Sequence, residues 1–163
     1  MRKTAAAIVL VLTIVPLYFA CWVPWQCGIF AKELERALEA ALKKNSRAQA
    51  FLVDNVSRTE AFRKHVPGDA SMNIALATTY NLIGQFDEAI RVYDEALHYD
   101  RRPEMYFNKA GIRLRIGDRE GAHEDFLTAV SFNPDLVNRI RDTAIRTRVL
   151  SELTRRYGEH AIK

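Results

Sequence analysis

One stretch of the chain repeats itself. Gly84, Ala89, Tyr93 and Ala96 return as Gly117, Ala122, Phe126 and Ala129, each 33 positions further on. Small and aromatic residues held in constant register are not expected of two unrelated helices. A period in the low thirties is the mark of stacked helix pairs. With only seven Gly and five Pro in 163 residues, long loops and a β-rich fold are disfavoured. The expected fold is all-α: an α-hairpin solenoid with flanking capping helices.

The residues between these landmarks carry the same message. Ala77 and Tyr80 precede Gly84, with Leu76 beside them and Asn73 further back. Gly84 suits a turn that needs φ > 0. Asp87 and Glu88 suit the first turn of the helix after it, where they complement its dipole. In the second copy Tyr106, Lys109, Ala110 and Arg113 precede Gly117-Asp118, and Pro134 follows Ala129. This stretch resembles the tetratricopeptide repeat, whose pattern is W-x2-L-G-x2-Y, then A-x3-F, then P. In the first copy Asn73, Leu76 and Arg101 occupy the Trp, Leu and Pro positions. In the second, Tyr106, Lys109 and Arg113 take the Trp, Leu and Tyr positions, and Pro134 matches the terminal Pro. Lys109 and Arg113 weaken the first helix of that copy as a generic match. The resemblance covers about 65 of the 163 residues.

What the resemblance implies is protein binding on a concave face built mainly from the first helix of each pair. Projected onto this chain, that face holds Ile74, Thr78, Asn81, Phe107, Asn108, Gly111, Leu114 and Arg115. Ile140, Arg141, Ala144 and Arg148 would continue it. The carboxylate-clamp members of the family carry Lys and Asn at set positions there. Only Asn108 matches, so acidic C-terminal peptides of that kind are not the expected ligand. The remaining face is mixed and apolar, with Arg115, Arg141 and Arg148 at one end. It would suit an extended or helical peptide with some negative charge, unless these arginines are simply solvated.

The N-terminus carries a second strong signal. After Met1-Arg2-Lys3, no charged residue occurs from Thr4 to Ala31. Such a run exceeds the roughly 20 residues that cross a bilayer. Trp22 and Trp25 stand where an interfacial belt would lie, and Pro16 and Pro24 would kink a spanning helix. Length favours an uncleaved signal-anchor over residues 1–31, meeting the membrane through residues 4–27. A cleaved signal peptide and a lipoprotein signal ending at Cys21 are the alternatives. Tyr18 departs from the lipobox at the position where Leu is usual. Arg2 and Lys3 predict a cytoplasmic N-terminus and a periplasmic or otherwise extracytoplasmic remainder, making a single-pass membrane protein.

Residues 32–67 read as a helical connector or N-terminal cap, because stepping the repeat back finds no match there. Pro67-Gly68-Asp69 ends that segment. Residues 68–102 and 103–135 are the two repeats, and 136–163 a C-terminal capping segment. Leu136 to Tyr157 reads as one long helix closed by Gly158. Leu136 to Lys163 holds seven basic residues against three acids, an excess equal to the net charge of +4. Anionic lipid contact by this helix is one reading and a solvated cap the other. Nucleic acid is not expected, since no stacking aromatics interleave the arginines.

No catalytic signature is present: no GxSxG, no Walker loop, no dinucleotide fingerprint. His65, His98, His123 and His160 form no metal-ligand spacing, and His98 and His123 read as surface residues. Neither cofactor nor metal is expected, and the chain is not expected to be an enzyme. Two functions follow: an adaptor docking a protein partner through the groove, or a structural subunit of a larger membrane complex, held chiefly by its spanning helix.

Overall fold

The computed structural model of the chain describes residues 18–42 and 46–158. A short π-helical stretch, Tyr18–Trp22, leads into α1 (Val23–Leu42). Then follow α2 (Ser46–Arg63), α3 (Ala70–Leu82), α4 (Phe86–Leu97), α5 (Pro103–Arg115) and α6 (Arg119–Phe132). A 3-10 segment, Pro134–Arg139, precedes the last helix, α7 (Thr143–Tyr157). No strand occurs among the described residues. The all-helical class and the tetratricopeptide-like run of helices are as expected. The chain divides into two compact units, one running to Leu76 and the other beginning at Ala77.

In the first unit α1 packs against α2. Phe30 and Phe62 stack with ring centroids 4.7 Å apart. Cys27, Leu34, Ala37, Leu52 and Val56 are buried. The Pro67-Gly68-Asp69 break is held by the side chains of Asn73 and Asp69. Asn73 Nδ2 donates to the carbonyls of Pro67 and Asp69, both at 2.8 Å. Met72 N–H donates to Asp69 Oδ1 at 2.8 Å, satisfying one of the free amides that open α3.

The membrane expectation needs correction. Among the described residues no helix is long and apolar enough to cross a membrane. The reason lies in α1. It takes up the end of the uncharged run and continues without a break through Lys32, Glu33, Glu35, Arg36 and Glu39. Its apolar side is also occupied, with Cys27, Leu34 and Ala37 at most 1% exposed. A single-pass protein with an extracytoplasmic domain is therefore not supported. The rest of the expected 1–31 anchor, residues 1–17, lies outside the described residues. Cys21 is exposed and Cys27 buried, and burial together with Asp69 pushes the Cys27 thiol up to about 12.

The second unit holds the first repeat from Ala77 onward and all of the second. Gly84 and Gly117 have φ of +85° and +86°, the left-handed conformation that lets each chain reverse between helices. Gln85 N–H then donates to Tyr80 O at 2.8 Å, and Asp118 N–H to Arg113 O at 2.9 Å, so both turns close alike. Ala77, Ala89, Ala96, Ala110, Ala122 and Ala129 are all buried. They are the small positions at which helices approach closely. Ala122, Phe126, Leu127, Ala129 and Val130 of α6 form one core with Leu136, Val137 and Ile140, and with Ile145, Val149 and Leu153 of α7.

The expected single helix from Leu136 to Tyr157 is interrupted. Pro134 begins a 3-10 turn in which Asn133 Oδ1 accepts from Asp135 N–H at 3.2 Å. Asp142 then starts a new helix, its Oδ1 accepting from Ile145 N–H at 3.0 Å. Leu136, Val137 and Ile140 thereby turn into the core instead of lying along one helical stripe.

Candidate functional site

The groove positions project from α3, α5, the segment entering α7 and α7 itself, and the structure treats them unequally. Ile74 lies in the first unit and is half-buried. The others lie in the second. Thr78 and Asn108 are half-buried beside the hydroxyl of Tyr93. That hydroxyl is buried without an aligned hydrogen bond. Burial raises its pKa, and the nearness of Thr78 and Asn108 offsets part of the rise. Asn81 Oδ1 accepts from Arg115 Nη1 at 2.7 Å, and its main-chain carbonyl accepts from the same nitrogen at 3.2 Å. The Arg115 guanidinium also lies over the Phe86 ring, 4.7 Å from its centroid. One arginine of the second repeat thus grips both sides of the first repeat's turn.

Phe107, Gly111, Leu114, Arg115 and Arg141 gather around one open cavity of about 720 Å³. Its floor is apolar: Phe107 meets Phe126 edge-on at 5.1 Å, with Leu114 alongside. Four further residues line it that the sequence reading did not assign to a site. Phe126 completes the floor, and Asn138, Arg139 and Asp142 stand at the rim. Arg139 lies over the Phe107 ring, 5.0 Å from its centroid. These three rim residues were missed because a continuous helix from Leu136 would have spread them around its circumference. The available signal was local: Asn133-Pro134 and Asp142-Thr143 both carry helix-start chemistry.

Of the twelve expected groove positions, Ile74, Thr78, Asn81, Asn108, Ile140, Ala144 and Arg148 do not line the cavity. Ile140 is 1% exposed and sits in the core. Arg148 is drawn to α6, where its Nη1 donates to Glu120 Oε1 at 2.7 Å. That pair holds the Glu120 carboxyl below its ordinary range, hydrogen bonding being the main cause. Beside it, His123 proves buried rather than superficial, with its Nε2 lacking a hydrogen-bond partner among the described residues. Burial, and then Arg148, push its pKa down, against Glu120, Glu152 and Glu124. His98 is exposed, as expected. Among the described residues no cluster of His, Cys, Asp or Glu could hold a metal ion.

Below the cavity face, Lys109 and Arg113 of α5 meet Asp125 of α6. Lys109 Nζ lies 3.2 Å from Asp125 Oδ1 and 2.7 Å from Asp94 Oδ1. Arg113 Nη1 is 3.0 Å from Asp125 Oδ2. That contact is one of charge, because its aligned hydrogen bond goes to the Gly121 carbonyl at 3.0 Å. Burial raises the Asp125 carboxyl, and Lys109 and Arg113 pull it back. The two departures from the family pattern are therefore both committed to one buried carboxylate.

The family model of the tetratricopeptide repeat matches residues 70–102, the first of the two copies. No curated protein matches the chain. Residues 70–102 carry a tetratricopeptide repeat, and repeats of this kind are in general protein-interaction modules rather than enzymes.

Proposed function

We propose that the chain is an adaptor that holds a partner protein on the face formed by α5 and the segment entering α7. The observation that supports this most directly is the cavity over Phe107 and Phe126. It exposes apolar floor that the described residues leave uncovered, and polar groups fix its rim. Half-buried Phe107 and Leu114 offer the kind of apolar anchor site on which helical-repeat proteins seat a peptide. The fold supplies rigidity. The cavity floor belongs to, or packs on, the core that joins α6, the 3-10 segment and α7, so a partner meets a preformed surface.

A photo-crosslinking residue placed at Phe107 in the cell tests this reading, with Tyr99, exposed at the end of α4, as the control position. The expected result is one captured protein at position 107 that also binds the purified chain, with no capture at 99. Capture at 99 alone would place the binding face elsewhere.

A further inference from the structure

The charge around the cavity is one-sided. Three guanidinium groups, those of Arg115, Arg139 and Arg141, stand at its edge, and all three residues are exposed. The single carboxylate there, Asp142, is already engaged. It accepts from Arg119 Nη2 at 2.9 Å and from the Ile145 amide at 3.0 Å. The partners of Arg115 are the neutral Asn81 and the Phe86 ring, and that of Arg139 is the Phe107 ring. Among the described residues none of the three pairs with a carboxylate. Elsewhere in the same unit several arginines do find one: Arg113, Arg119, Arg148, Arg155 and Arg156 each lie within 3.5 Å of an acid. Arg101 and Arg146 of that unit also lack an acid partner among the described residues, so what sets the cavity apart is that three such guanidinium groups share one edge.

We infer that the cavity takes an acidic segment of a partner protein carrying one bulky apolar side chain. The apolar side chain would rest on the half-buried Phe107 and Leu114, with flanking Asp or Glu carboxylates meeting Arg139, Arg141 and Arg115. This rests on the protein-binding reading above and names the chemistry of its ligand. Three physical points carry it. A guanidinium has five N–H donors in a planar fork, so Arg115 and Arg139 keep free edges for a carboxylate even while stacked on rings. Stacking also holds these two side chains in place, which reduces the ordering cost on binding. About 720 Å³ is room for one large side chain with its flanking backbone. The floor, in contrast, suits nucleic acid poorly. Phe126 is 3% exposed and meets Phe107 edge-on, so no pair of open ring faces is offered to stacked bases.

The test is a random-peptide display selection against the full chain, followed by titration of the best labelled peptide. Enriched peptides should share a surplus of Asp and Glu around one Leu, Ile, Phe or Trp. R139E combined with R141E should weaken the selected peptide by about tenfold or more, while the thermal transition stays in place because both side chains are exposed. Replacing the peptide's apolar residue by Ala should weaken it comparably, and a Lys-for-Glu version should recover affinity on the reversed variant. The inference is overturned if selection enriches nothing, if enriched peptides are neutral or basic, or if the double variant binds unchanged. A single-stranded oligonucleotide that displaces the peptide at lower concentration would also overturn it. A partner captured at Phe107 whose bound segment lacks acidic residues would leave the adaptor reading standing and remove only this one.

Discussion

Lys109 Nζ lies 2.7 Å from Asp94 and 3.2 Å from Asp125, so a single ammonium, 7% exposed, ties α5 to both α4 and α6. It stands at a position where the tetratricopeptide pattern carries an apolar residue. Two buried charges in contact gain little over apolar neighbours, but removing one strands the other. Lys109→Met should therefore cost about 3 kcal/mol, the low end for a broken buried pair, because Arg113 still faces Asp125. The companion Lys109→Met/Asp125→Leu should recover much of that loss. Urea unfolding of the wild type, the single and the double variant checks both. A single variant within 1 kcal/mol of wild type would mean that the pair carries no such weight.

His123 gives the unit a pH dependence of predictable sign. Its folded pKa lies below the ordinary 6.5, chiefly through burial. As pH falls below 6.5, the unfolded chain gains a proton that the folded chain refuses. Stability from this source is complete above that value and is lost as pH drops toward the lowered one. The depressed carboxyls of Glu120, Asp142 and Glu152, the last held at about 2, act only in a more acidic window. Melting temperature followed between neutral pH and mildly acidic pH should fall for the wild type and fall less for His123→Gln. Identical slopes would remove His123 from the account.

The two turn glycines should behave alike. At Gly84 and Gly117 an added Cβ would meet nothing within 4 Å, so the cost of a side chain is that of the backbone conformation alone. Gly84→Ala and Gly117→Ala should each destabilise by about 1–2 kcal/mol, and the double variant by close to the sum. Denaturant midpoints read this directly. A large difference between the two would point to contacts beyond the backbone.

Asp142 both opens α7 and neutralises Arg119. Asp142→Ala should cost about 1 kcal/mol through the lost cap. Asp142→Asn, which can still accept from the Ile145 amide, should keep most of that. If Ala and Asn variants melt together, the cap is not what sets the start of α7.

Legibility in the sequence followed the range of the interaction. Gly84, Gly117 and the alanines at 33-residue spacing were readable because turn conformation and close approach depend on residue type at each position. The repeat pattern, and for Arg141 the helix after it, projected Phe107, Leu114, Arg115 and Arg141 onto one face, and the structure gathers these four round one cavity. Arg148 was assigned to the same face, yet Glu120, 28 positions away, holds it elsewhere. The uncharged N-terminal run looked like a membrane span up to Ala31, since sequence hydrophobicity alone cannot say that Cys27, Leu34 and Ala37 share one buried side of α1.

By itself, then, the sequence determined the helices, their reversals and the repeat of residues 70–102, all set by preferences acting within a few turns of chain. The tertiary structure decided how Lys109 and Arg113 are compensated, that Leu136, Val137 and Ile140 turn into the core, and which arginines are left facing the cavity without a carboxylate. Those outcomes depend on charges and apolar surfaces that lie far apart along the chain and meet only when the helices pack.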